Sequence, residues 1–199
     1  MPFRGLILWG ALAAAIGAAL ILATQSSYLQ YRQPIYIIAG FAGIVGLALL
    51  AVQPLLGMAA MPGLSRPMSR RAHRWTGTAL VTAVVVHVAG LWITSPPDVV
   101  DALTFTSPTP FSVWGVIAMW AVFATALVAM GRRKLRLRVW RLAHGTLALV
   151  IVSGTIAHAL LIEGTMEPVS KIALCVLAAL VTAWAVSSLR APRRSGPER

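Results

Sequence analysis

The chain has 199 residues, 58% of them hydrophobic and only 11% charged. Soluble domains carry about 25% charged residues, so this composition excludes an ordinary soluble enzyme and points to a membrane protein. The formal net charge of +12 would suit a nucleic-acid partner, but the basic residues sit in short clusters between long apolar runs. There they act as topology signals, and no nucleic acid is expected. The single cysteine, Cys175, lies inside an apolar run. That excludes an intramolecular disulfide framework or a cysteine-based metal cluster, and Cys175 reads as a small buried apolar side chain.

A spanning helix needs about 20 predominantly apolar residues. Six runs qualify, at roughly 5–24, 35–56, 73–94, 111–130, 140–162 and 169–189. The first follows Arg4 and also reads as a signal peptide. Its apolar part is long for that role and no small-x-small cleavage site ends it, so it is expected to stay as the first helix. The connections carry Gly, Pro or charge, and the stretch 95–110 and the tail after Pro192 are expected to be irregular.

Arg66, Arg70, Arg71 and Arg74 flank the second-to-third connection, and Arg132, Arg133, Lys134, Arg136, Arg138 and Arg141 the fourth-to-fifth. Arg4 precedes the first span, and Arg190, Arg193, Arg194 and Arg199 follow the last. An even number of spans puts all of these on one side, leaving Arg32 and Lys171 on the other with Asp98, Asp101, Glu163 and Glu167. The positive-inside rule then predicts both termini in the cytoplasm. The expected fold class is all-α, a six-transmembrane-helix bundle forming one domain over residues 1–199, with 190–199 a basic cytoplasmic tail. The expected setting is a bacterial-type inner membrane, with lipid as partner.

The chain's four histidines close two apolar stretches of equal length, "HRWTGTALVTAVVVH" at 73–87 and "HGTLALVIVSGTIAH" at 144–158. Residues fourteen apart on an α-helix lie within about 40° of one face and about 21 Å apart along the axis. The third and fifth spans run in the same direction, so His73 levels with His144, and His87 with His158. Ionisable groups inside spans are costly and mark function. Two imidazoles are too few ligands for zinc or copper alone. Haem brings four equatorial nitrogens and asks only for axial ligands, so each pair suffices for one haem, with no position left open for oxygen chemistry. The spacing predicts His73 and His144 on an inner haem iron, His87 and His158 on an outer one. Gly77, one turn after His73, with Gly145 and Gly154, would let a flat macrocycle approach. Arg70, Arg71, Arg74 and Arg141 stand at the inner level, where they would bind haem propionates. Trp75 and Trp92 read as interface anchors.

With "HRWTG" leading to His87, "WRLAHG" leading to His158 and paired histidines on the third and fifth of six spans, the chain resembles the ferric-reductase-like transmembrane family over about residues 35–190. That family includes the membrane parts of ferric reductases and NADPH oxidases, and the haem-binding membrane subunit of the bacterial methionine sulfoxide reductase system. The resemblance implies two b-type haems passing electrons from the cytoplasmic face outward. Ferric reductases and NADPH oxidases continue into a flavin- and nicotinamide-binding domain, whereas this sequence ends nine residues after Arg190. The sulfoxide reductase subunit is similarly short but generally lacks a counterpart of His73.

The expected function is therefore that of an oxidoreductase component, a two-haem electron carrier with its donor on a separate cytoplasmic flavoprotein and its acceptor at the outer face. Ferric chelate, oxygen or a periplasmic redox protein would serve as acceptor. Two alternatives stand beside it: a quinol-oxidising cytochrome b subunit, and a non-redox transporter or scaffold with buried histidines.

Overall fold

A computed structural model describes residues 3–190, and every long element in it is helical. The helices are α1 (Phe3–Thr24), α2 (Pro34–Gly57), α3 (Arg66–Thr94), α4 (Pro96–Leu103), α5 (Pro110–Met130), α6 (Leu137–Leu161) and α7 (Pro168–Arg190). All but the short α4 are long and apolar enough to cross a membrane, six candidate spans among the described residues. Residues 191–199, most of the expected basic tail, lie outside the described residues.

Proline sets most of the starts. It occupies the first turn of α2, α3, α4 and α5 and opens α7. Its missing N–H costs nothing there, and its fixed φ suits a helix.

Two elements differ from the sequence expectation. Helix α3 begins at Arg66, seven residues before His73. Its arginine-rich start reads as a loop by hydropathy, but Ser65 caps it by accepting from the Met68 amide at 3.4 Å. The fully buried Ser69 hydroxyl then donates to the Leu56 carbonyl at 2.8 Å, tying this turn to the end of α2. The second difference is α4, an eight-residue helix inside the stretch expected to be irregular. Two prolines start it, Asp98 sits at its positive N-terminal end, and Val99 turns inward and is buried.

The closest packing is within two antiparallel hairpins, α2 with α3 and α5 with α6, while α3 and α6 hardly touch. Small residues bring each hairpin together. A Cβ on Gly90 of α3 would stand 2.8 Å from that of Ala39, and one on Gly154 of α6 would stand 3.1 Å from the Trp114 carbonyl. Helix α7 packs on α2 and α6, with Cys175 buried beside Leu47, Ala159 and Leu174. The indole of Trp9 on α1 donates to the Pro62 carbonyl at 3.0 Å.

Candidate functional site

The gap between α3 and α6 is where the histidines meet. His73 faces His144 with ring centres 6.2 Å apart, and His87 faces His158 at 6.4 Å, the planes inclined by 63° and 84°. Helices α3 and α6 therefore run in parallel, and the fourteen-residue spacing places one pair toward each end. The level between is apolar. Leu80 and Ile151, midway along the two stretches, are buried with Leu50, Ala121, Val122 and Val152.

Three of the imidazoles are held in the same way. Nδ1 of His87 bonds the Ala39 carbonyl at 2.8 Å, Nδ1 of His158 the Phe111 carbonyl at 2.9 Å, and Nδ1 of His73 the Gln53 carbonyl at 3.1 Å. A carbonyl accepts, so each Nδ1 carries the proton. Nε2 is left with its lone pair free, the state a metal ligand needs. His144 differs: its buried Nδ1 has no partner, and its ring stacks on Trp140 with centres 5.2 Å apart and planes within 16°. The guanidinium of Arg132 covers the same indole at 5.0 Å.

These pairs suit a haem. A first-row metal bonds imidazole nitrogen at about 2.0–2.1 Å, and the ring centre lies about 1.1 Å further, so one ion bonded from both sides sets the centres about 6.3 Å apart. Both observed spacings fall within 0.1 Å of that figure. Among the described residues no group of three or more His, Cys, Asp or Glu side chains comes together, so two imidazoles are the protein's donor set at each level. His87 and His158 line a largely apolar cavity of about 830 Å³, within the size range of cofactor sites. Around His73 and His144, the atoms Gln53 Oε1, Trp140 Nε1 and His144 Nδ1 are buried polar atoms without a partner.

Of the small residues expected beside a macrocycle, two face neighbouring helices. Gly77 was expected to make room for a macrocycle, but it faces α2: a Cβ there would stand 3.4 Å from Gln53 Nε2. Gly154 serves helix packing, and a Cβ on Gly145 would meet nothing within 4 Å. Arg74 and Arg141 are exposed near the His73 and His144 ends of their helices, as are Arg70 and Arg71. Trp75 and Trp92 also keep exposed indoles, as anchors would.

Other residues come into the site without a sequence signal having singled them out. Gly43, Gly57 and Gly115 lie under the rings of His87, His73 and His158. The amide of Gln53, inside a span, donates to Thr76 Oγ1 at 3.1 Å. Arg32 and Lys171 line the outer cavity, where Arg32 covers the Tyr36 ring at 4.8 Å and Lys171 Nζ donates to the Ile162 carbonyl at 2.8 Å. The sequence marked these two only as cations lying apart from the basic clusters, with no role at the histidines.

Residues 42–155, more than half of the chain, match the family described as the ferric reductase like transmembrane component. The chain belongs to this family. The matched part of this ferric-reductase-like protein is shorter than the resemblance suggested. It holds His73, His87 and His144 and ends three residues before His158, with α1 and α7 outside it. No curated protein and no solved structure matches the chain.

Proposed function

We propose that this ferric-reductase-like protein carries electrons across the membrane through two b-type haems, from the cytoplasmic side to an acceptor at the outer face. His73 and His144 would hold the inner haem, His87 and His158 the outer one. The observation that carries this reading is the pair of facing imidazole couples, with ring centres at 6.2 and 6.4 Å. A haem held by two histidines supplies a one-electron centre with no open position on its iron.

The protein's own residues account for the rest. The Nδ1 bonds of His73, His87 and His158 fix the tautomer that presents Nε2. Leu80, Ile151, Leu50 and Val122 make the layer between the two levels apolar. Arg32 and Lys171 supply positive charge at the outer cavity, suited to a carboxylate of the cofactor or to an anionic acceptor.

The basic clusters support this sidedness: by the positive-inside rule Arg66 to Arg74 and Arg132 to Arg141 would lie at the cytoplasmic surface with both termini, the membrane being of the bacterial inner type. A separate cytoplasmic flavoprotein would meet that face, and a periplasmic acceptor the opposite one.

The test is transfer itself. Haem-loaded protein in sealed vesicles, with a reductant trapped inside, should reduce ferricyanide outside. Vesicles in which haem is reduced but external ferricyanide is not would overturn transmembrane transfer.

A further inference from the structure

Each held histidine rests on the same two features of the neighbouring helix: a carbonyl at position i and a glycine at i+4. They are Ala39 with Gly43, Gln53 with Gly57, and Phe111 with Gly115. A helical side chain leans toward the N-terminus and covers the turn before it, so a side chain at i+4 would cover the carbonyl at i. Glycine leaves that carbonyl open to an imidazole. The fit is close at two of them: a Cβ on Gly115 would stand 2.6 Å from His158 Nδ1 and one on Gly43 3.1 Å from His87 Nδ1, whereas one on Gly57 would make ordinary contact, 3.6 Å from His73 Cε1.

These seats repeat with the histidines. Moving fourteen residues along α2 leads from Ala39 and Gly43 to Gln53 and Gly57, as fourteen residues back along α3 lead from His87 to His73. The same step along α5 leads from Phe111 and Gly115 to Thr125 and Ala129. By this repeat the seat due to His144 would fall there, with an alanine in place of the glycine. Here alone the imidazole Nδ1 is unpaired, and the ring lies on Trp140.

We propose that Gly43 and Gly115 are positioning residues that seat His87 and His158 on backbone carbonyls, with Gly57 in the equivalent place beside His73, and that Ala129 blocks the fourth seat. His144 is then the least firmly oriented of the four ligands in the haem reading, on which its importance for the cofactor rests. Outer partners of a metal-bound histidine are worth about 10–100-fold in affinity. The inner haem should therefore be lost faster than the outer one by a factor of this order, and Ala129→Gly should slow that loss.

The seats can be read without haem, from imidazole ¹⁵N spectra of the apo-protein labelled at histidine, in nanodiscs. Three rings should show a protonated, hydrogen-bonded Nδ1, and the fourth, assigned by His144→Gln, should not. Ala129→Gly should bring the fourth into line with the others, while the control Ala126→Gly leaves it unchanged. Gly115→Ala should free the His158 Nδ1, and Gly17→Ala, whose Cβ meets nothing within 4 Å, should change no ring. Four equivalent rings in the parent protein, or a folded Ala129→Gly variant with His144 unchanged, would overturn the proposal. The three-to-one pattern in a protein that takes up no haem would support the seats and defeat the haem reading. Two haems on rings without that pattern would do the reverse.

Discussion

Leu80 on α3 and Ile151 on α6 each stand seven residues from both histidines of their own helix, and they are buried in one apolar cluster. They form the layer that separates the two imidazole pairs. Truncating either to alanine removes apolar contacts within this cluster and enlarges the cavity that both residues line, at a cost of about 2–5 kcal/mol. Reversible unfolding of Leu80→Ala and Ile151→Ala in detergent should show losses in that range. A loss within error of zero would mean that the layer is loosely packed.

The pairing itself predicts a selective effect. His87→Ala should remove the outer haem and largely spare the inner one, and His73→Ala should do the converse, each read from haem content and the visible spectrum. If His87→Ala and His158→Ala both left content and spectrum intact, the outer pair would hold no haem.

What could be read in the sequence was whatever depends on one helix alone. The fourteen-residue spacing of His73 and His87 fixes a shared face, and two spans running the same way fix matched depths, so the facing pairs followed from periodicity and topology. The seats did not. That Gly43 serves His87, or that Gly77 turns to Gln53, depends on which neighbour a face meets and in what register, and no single-helix pattern encodes that. Helix α4 was missed because its eight residues are rich in proline and flanked by serine, a composition shared by loops and short helices. The first turns of α3 were missed because their arginines hide a helix held by Ser65 and Ser69.

At the far end of the bundle, the Glu167 carboxylate accepts from the amides of Val169 and Ser170 at 2.8 and 2.9 Å, capping α7. These bonds, that of Val169 first, hold its carboxyl below the usual glutamate range. A folded-state value below the unfolded one stabilises the cap above the ordinary range and loses that contribution as pH falls through the lowered value. Protection of the Val169 and Ser170 amides should therefore exceed that in Glu167→Gln near neutral pH and converge with it in acid. Equal protection at every pH would show that the cap adds nothing.

The clustered arginines predict how the donor is met. A basic face formed by residues 66–74 and 131–141 should speed association with an acidic flavoprotein, and salt should weaken that steering. Haem reduction by a cytoplasmic flavin reductase in inside-out vesicles should slow as ionic strength rises. A rate indifferent to salt, matched by quinol alone, would remove the basic face from the mechanism and favour quinol as the donor.

The account depends most on two haems per chain, one at each imidazole pair. Pyridine haemochrome analysis of the purified, folded protein against its concentration measures this directly. The facing pairs predict a ratio approaching two. Saturation at one would confine haem to a single pair, and a folded protein saturating at zero would contradict the account outright.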